Sequence, residues 1–372
     1  MSVVQHWVGG AAFAGASTRT APVYNPATGE TQREVALATT ADVDHAVQAA
    51  KAAFAGWSTT SIAKRQQIMF AFREGLNARK DELAAILTNE HGKVLSDAGG
   101  EIARGLEVVE LACSIPQLMK GEFSENVSTG VDVYSIKQAL GVVGIISPFN
   151  FPAMVPLWFF PLAIAAGNTV VLKPSEKDPS AAIWMAQLFK ESGLPDGVFN
   201  VVNGDKESVD ALLEHPDVAS ISFVGSTPIA KYIYETASKH GKRVQALGGA
   251  KNHMLVLPDA DLDLVADSAV NAGFGSAGER CMAISVAVPV GKETADRLIE
   301  KLVPRVEALK VGPSTDLGAD FGPLVTKEAL ARVKGYVDTG VKEGAKLVVD
   351  GRDFTMQGYE NGYYMGGCLF DE

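Results

Sequence analysis

Apolar residues recur at three- and four-residue spacing through 42–54, 62–79 and 97–119, which predicts amphipathic helices across the first third of the chain. The texture changes at 127–137. There Val131, Val133, Ser135 and Lys137 alternate with Asp132, Tyr134 and Ile136 without a clean apolar face, which predicts an exposed hairpin strand whose unpaired edge invites a partner subunit. From Val142 onward short apolar runs and helical patterns alternate. Strands are predicted at 142–146, 169–172, 198–202, 220–224 and 243–247, separated by helices at 156–166, 180–192, 206–214 and 228–240. This is the βαβ pattern of an α/β, doubly wound parallel sheet whose strands are buried on both faces. A second α/β unit is predicted from about Lys251, with strands at 253–257 and 283–290 and helices at 262–274 and 293–309. No internal repeat or low-complexity linker interrupts it.

Composition narrows the class. With 372 residues, 47% of them hydrophobic, there is material for two cores, since domains run to roughly 100 to 200 residues. The net charge of −11, with no basic cluster, argues against nucleic acid or an anionic membrane as partner. The most apolar run, 151–166, is interrupted by Pro152, Pro156 and Pro161 and is shorter than the roughly 20 helical residues that span a bilayer. Cys113, Cys281 and Cys368 are far apart and odd in number, which gives neither a disulfide framework nor a close-spaced metal site. No basic-then-apolar leader opens the chain. The expectation is a cytoplasmic protein, or a mature chain already processed, without metal.

Ligands of such sheets sit beyond the carboxyl ends of the strands, so the strand-end loops are where chemistry is sought. Ser147-Pro148-Phe149-Asn150-Phe151-Pro152 mounts a neutral amide between prolines and aromatics. Asn150 so fixed is either a donor to a developing oxyanion or an ordinary turn former. Lys173-Pro174-Ser175-Glu176-Lys177 brings an acid to where a nucleotide ribose would lie, favouring NAD over NADP, or is simply a solvated charge run. Phe223-Val224-Gly225-Ser226-Thr227-Pro228 joins a strand to a helix through a glycine and two hydroxyls, suited to a pyrophosphate although no GxGxxG is present. Finally, the small residues from Asn271 to Gly278 lead through Glu279 and Arg280 to Cys281. That thiol is either a nucleophile whose thiolate Arg280 favours, or a buried free cysteine.

These four segments, together with Leu247-Gly248-Gly249, resemble the NAD(P)-dependent aldehyde dehydrogenase superfamily in order and spacing over essentially the whole chain. The resemblance implies an aldehyde-dehydrogenase-like fold: a cofactor domain at 1–121 and 141–249, an oligomerisation hairpin at 122–140, and a catalytic α/β domain at 250–372. It also implies NAD held by Ser147, Phe149, Lys173, Glu176, Lys177, Gly225, Ser226 and Gly248. Cys281 would attack the aldehyde carbon, with the Asn150 side chain and the Cys281 amide holding the oxyanion, and would be left as a thioester. In hydrolytic members a glutamate directly before Leu-Gly-Gly activates water; here that position is Ala246. Coenzyme A then becomes the acyl acceptor.

That substitution, with Gly249-Ala250-Lys251-Asn252-His253, resembles the CoA-acylating, methylmalonate-semialdehyde branch of the family. The branch implies that Arg280, and Arg104 within Glu101–Glu107, grip a substrate carboxylate, although Arg104 could equally pair with Glu101 or Glu107 along its helix. Expected products are propionyl-CoA or acetyl-CoA with carbon dioxide, and the full-length form is expected to be a homodimer or homotetramer. The family continues for about a hundred residues beyond where this chain ends, so the catalytic domain is expected to be incomplete. A hydrolytic aldehyde dehydrogenase, or an NAD-binding assembly module without turnover, are the other readings.

Overall fold

In this computed structural model, which describes residues 2–371, the chain divides into two compact units. The first comprises the residues through Pro22, Arg33–Leu83 and Glu101–Gly248; the second comprises Val23–Gln32, Ala84–Gly100 and the residues from Gly249 on. The expected domains were drawn differently. Residues 23–32 and 84–100 belong to the second unit, and the hairpin is counted within the first.

The first unit is built on a seven-stranded sheet. Across it lie Arg243–Leu247, Val218–Val224, Val142–Ile146, Thr169–Lys173 and Phe199–Val201, all parallel, followed by His6–Val8 and Ala11–Phe13, which are antiparallel. Val142–Ile146 and Thr169–Lys173 are buried at every position, as central parallel strands covered on both faces must be. From Val142–Ile146 the chain steps one way to Thr169–Lys173 and Phe199–Val201, then returns to the other side for Val218–Val224. The topological switch point therefore falls between Val142–Ile146 and Val218–Val224, the place where such sheets bind ligands.

Register aligns the ends of these strands. Ile146 pairs with Lys173 on one side and Phe223 on the other, and Phe223 pairs with Ala246. With strands about 4.8 Å apart, the loops after Ile146, Lys173 and Phe223 leave the sheet side by side. Helices cover the sheet through a core that includes Val43, Val47, Val171, Ile221 and Ile233. Phe72, Phe160, Phe189 and Phe199 form an aromatic cluster with neighbouring centroids 4.2 to 6.1 Å apart, each such pair contributing about 0.5–1.5 kcal/mol beyond area burial.

The first third is not wholly helical, as its periodicity had predicted. Five short strands, Val3–Val4, His6–Val8, Ala11–Phe13, Thr20–Asn25 and Glu30–Ala36, precede the helix Thr40–Thr59. Three of them are only two or three residues long, too brief to display a period. The expected helix at 97–119 is two, Leu95–Cys113 and Ile115–Leu118, separated at Ser114 just before Pro116, which lacks a backbone donor. The exposed strand at 127–137 is a hairpin of Phe123–Ser128 and Val131–Tyr134 with every residue exposed.

In the second unit, Asn252–Val256 and Ile284–Pro289 form a parallel pair. Leu262–Phe274 and Lys292–Glu307 pack on it through Val256, Leu262, Ala266, Leu298 and Leu302. Farther on, the helix Lys327–Glu343 starts where the Thr326 hydroxyl accepts from the Ala329 amide and stops at Gly344, whose φ of 103° suits glycine. Lys346–Val349 then pairs antiparallel with Leu369–Asp371.

Candidate active site

At the switch point of the first unit, Ser147 follows the strand Val142–Ile146. Its amide donates to the Lys173 carbonyl, while its buried hydroxyl has no hydrogen-bond partner among the described residues. A buried orphan hydroxyl at a strand end is the kind of group a ligand satisfies. Asn150 is half-buried in the bend that follows. That bend is held from the helix Leu95–Cys113: a carboxylate oxygen of Glu101 accepts from the Ala153 and Met154 amides, at 2.8 and 3.0 Å, at the start of the helix Met154–Ala165. Those are donors a helix leaves unpaired, and no local side chain caps them. One turn on, Gly105 lies so close to Leu157 that a Cβ there would come within 2.4 Å of its Cδ1. Glu101→Ala would leave two buried N–H groups unpaired at about 1–3 kcal/mol each. The expected result is a melting temperature lower by several degrees, with Glu101→Gln closer to wild type because its amide oxygen still accepts; calorimetry of the three proteins measures this.

Lys173 ends the next strand. Its Nζ is buried, donates to the Gly204 carbonyl at 2.9 Å and lies 3.7 Å from Glu176 Oε2. Burial pushes the ammonium pKa down and Glu176 partly restores it. Lys177 Nζ sits 4.7 Å from the centroid of the Phe149 ring, a cation–π contact that ties this loop to the Asn150 loop.

The third loop follows Phe223. Gly225 donates to the Leu247 carbonyl at 3.0 Å, and the Phe223 ring folds beneath Gly225 so that a Cβ there would fall 2.3 Å from ring Cζ. Ser226 is the N-cap of the helix Thr227–Lys239, yet its exposed side chain makes no capping hydrogen bond. Opposite, Gly248 approaches Thr227 so closely that a Cβ would lie 3.1 Å from Oγ1. An uncapped helix start flanked by two glycines suits a phosphate. Ala246 lies one strand over, its methyl packed on the apolar core, and it offers no proton acceptor.

In the second unit, the helix Leu262–Phe274 runs into a tight turn. Ser276 and Ala277, with φ of 54° and 53°, and Gly278 at 76° are consecutive left-handed residues. Two non-glycine residues in that region represent about 1–3 kcal/mol each of local strain, a feature that clusters at functional sites. The turn delivers Cys281, a free, half-buried cysteine. Asn252 fixes its backbone by donating from Nδ2 to the carbonyls of Cys281 and Ala283, both at 3.0 Å. Arg280 is held by Asp97, with Nη2 to Oδ1 at 2.5 Å. Glu279, the nearest acid along the chain, accepts from the Val325 amide at 3.2 Å and lies 3.8 Å from the fully buried His91. Burial, and then the charge of Lys93, hold the His91 pKa well below its ordinary value.

The family model described as "Aldehyde dehydrogenase family" matches residues 13–372. The chain belongs to the aldehyde dehydrogenase family. Among relatives, a malonate-semialdehyde dehydrogenase of Pseudomonas aeruginosa is 54% identical over all of this chain and 74% of its own length. The mitochondrial, acylating methylmalonate-semialdehyde dehydrogenase of Arabidopsis thaliana is 48% identical over 98% of this chain and 60% of its own. A crystal structure of a Sinorhizobium meliloti protein complexed with NAD superposes with a TM-score of 0.98 at 57% identity, covering all of this chain and 75% of that one.

The residues expected of an aldehyde dehydrogenase are divided between the two units. Ser147, Phe149, Asn150, Lys173, Glu176, Lys177, Gly225, Ser226, Gly248 and Arg104 lie in the first unit; Arg280 and Cys281 lie in the second. The Arg104 side chain is exposed and 3.6 Å from Glu107, the alternative its helix had offered, while Glu101 is committed to the Ala153 and Met154 amides. Sequence reasoning passed over Glu101 as a cap, Asn252 as an anchor and Asp97 as a partner of Arg280. Only Asn252 carried a signal, the departure at Gly249–His253 already noted in the sequence.

Proposed function

We propose that this chain is an NAD-dependent, CoA-acylating semialdehyde dehydrogenase acting on malonate or methylmalonate semialdehyde. The observation that carries the reading is Ala246, a methyl group in the strand-end row where hydrolytic members of the family place a glutamate. The names borne by the Pseudomonas and Arabidopsis relatives support it, as does the engagement of Glu279 with Val325 and His91.

The residues of the first unit fit NAD: the orphan Ser147 hydroxyl, the uncapped helix start at Ser226 between Gly225 and Gly248, and the Lys173–Glu176 pair. Ser147, Phe149, Lys173, Glu176, Lys177, Gly225, Ser226 and Gly248 would hold it, with Glu176 favouring NAD over NADP. Bound there, the nicotinamide supplies a hydride acceptor. Cys281 adds to the aldehyde carbon as its thiolate, and the Asn150 side chain and the Cys281 amide stabilise the oxyanion. Arg280 and Arg104 bind the substrate carboxylate. Once the adduct is oxidised to a thioester, Ala246 provides no base to activate water, so the CoA thiol displaces Cys281 and regenerates its thiolate. The carboxylate beta to the thioester carbonyl leaves as carbon dioxide, its bonding electrons pass to the alpha carbon as a thioester enolate, and a proton from water completes acetyl-CoA or propionyl-CoA.

Stopped-flow NADH formation with and without CoA tests this. A burst without CoA followed by CoA-dependent turnover is expected; turnover at full rate without CoA would favour the hydrolytic reading, and no burst from a chain that binds NAD would favour a module without turnover. Ala246→Glu is expected to divert product from acyl-CoA to free acid, and an unchanged product ratio would count against the role given to this position. The exposed Phe123, Val127, Val131, Val133 and Tyr134 on the hairpin support a homo-oligomer, a dimer or tetramer joined through its open edges. The cytoplasm is the proposed location.

A further inference from the structure

We infer that Asp97 is the positioning residue that sets the Arg280 guanidinium for the substrate carboxylate, an inference that rests on the proposed role of Arg280. Three contacts in the second unit box the guanidinium in. Nη2 bonds Asp97 Oδ1 at 2.5 Å, Nη1 donates to the Asn271 carbonyl at 3.3 Å, and the group lies flat on Gly275. A Cβ at Gly275 would fall 2.5 Å from Cζ and from both terminal nitrogens, so only glycine leaves this seat open.

Asp97 is dedicated to this task. It stands in the first turn of the helix Leu95–Cys113, a rigid mount where the helix dipole favours a carboxylate. Its side chain is 18% exposed, and the second oxygen, Oδ2, is buried without a hydrogen-bond partner among the described residues. Arg280 is thus the group that compensates the buried charge. A guanidinium carries five N–H donors, more than Asp97 and Asn271 use, so donors are left for a substrate carboxylate. Holding a long side chain in one rotamer beforehand removes an ordering cost from binding.

The opposite effect is also physical. Asp97 is an anion beside an anion-binding group, so its charge alone would repel the substrate. The sign of the effect of Asp97→Asn therefore separates positioning from charge.

Alkylation of Cys281 reads this without requiring turnover. Thiolate sulfur forms a bond to the reagent carbon and iodide leaves, for iodoacetate, which bears a carboxylate, and iodoacetamide, which does not. Peptide mass spectrometry on the 372-residue chain gives each rate at Cys281. Wild type is expected to favour iodoacetate, relative to iodoacetamide, at least fivefold over Arg280→Gln. Asp97→Asn should lower the ratio at least threefold although it removes a negative charge, and Asp97→Glu should recover part of it. Gly275→Ala, which occupies the seat, should lower it as well and serves if Asp97→Asn does not fold. A ratio that rises in Asp97→Asn assigns Asp97 a purely repulsive role and overturns the inference; so does an unchanged ratio, with both reagents slowed alike, which marks a merely structural role. If Arg280→Gln itself leaves the ratio unchanged, the carboxylate role of Arg280 fails instead.

Discussion

Replacement of Cys281 by serine is expected to eliminate the NADH burst, with turnover reduced on the order of 10⁴-fold or more, because a hydroxyl is hardly ionised at neutral pH whereas a thiol has an appreciable thiolate fraction. The same exchange at Cys113 or Cys368 is expected to leave turnover within about threefold, since inert cysteines contribute packing rather than chemistry. Burial pushes both of those thiols up in pKa, which withholds the reactive thiolate. Cys281 is a free, half-buried cysteine delivered by the strained turn through Ser276 and Ala277. Stopped-flow absorbance of NADH, with NAD binding followed separately by fluorescence, distinguishes loss of the nucleophile from loss of the fold. A burst that survives Cys281→Ser would remove this residue from the mechanism.

The second large effect is expected at Asn150. Loss of one oxyanion donor reduces kcat by about 10²–10³-fold, and Asn150→Ala should do so with little change in NAD affinity. Asn150→Asp should be at least as damaging, because a carboxylate puts an acceptor where a donor is needed. The bend carrying Asn150 is fixed at its far end by Glu101, so Glu101→Ala should lower kcat as well, but by less, through a looser loop. If Asn150→Ala raised KM for NAD as strongly as it lowered kcat, the amide would be part of cofactor binding and not an oxyanion donor.

The candidate site was legible in the sequence where its chemistry is local. Each strand-end loop states its content over a few consecutive residues: an amide between prolines, an acid after a strand, a glycine with hydroxyls opening a helix. The alternation of short apolar runs with helical patterns places those loops on a parallel sheet, because a parallel connection needs a crossover helix. Short strands near the beginning escaped because two or three residues show no alternation, and the antiparallel pair His6–Val8 and Ala11–Phe13 joins the sheet only through Phe199–Val201, far along the chain.

What the sequence by itself determined is the order of chemical groups along the chain: Asn150, Glu176, Gly225, the glutamate missing at Ala246, and Cys281 behind Arg280. What only the tertiary structure decided is which groups hold one another. Asp97 meets Arg280 across 183 positions and Glu101 meets Ala153 across 52, while strand register sets Lys173, Ile146, Phe223 and Ala246 in one row. No periodicity encodes such pairs, because propensity and turn chemistry act over a few residues whereas a buried carboxylate takes its partner from whatever packing brings within about 3 Å. The arginine beside the thiol could be read from the sequence as a clamp, but the acid and the glycine that hold it still belong to the fold.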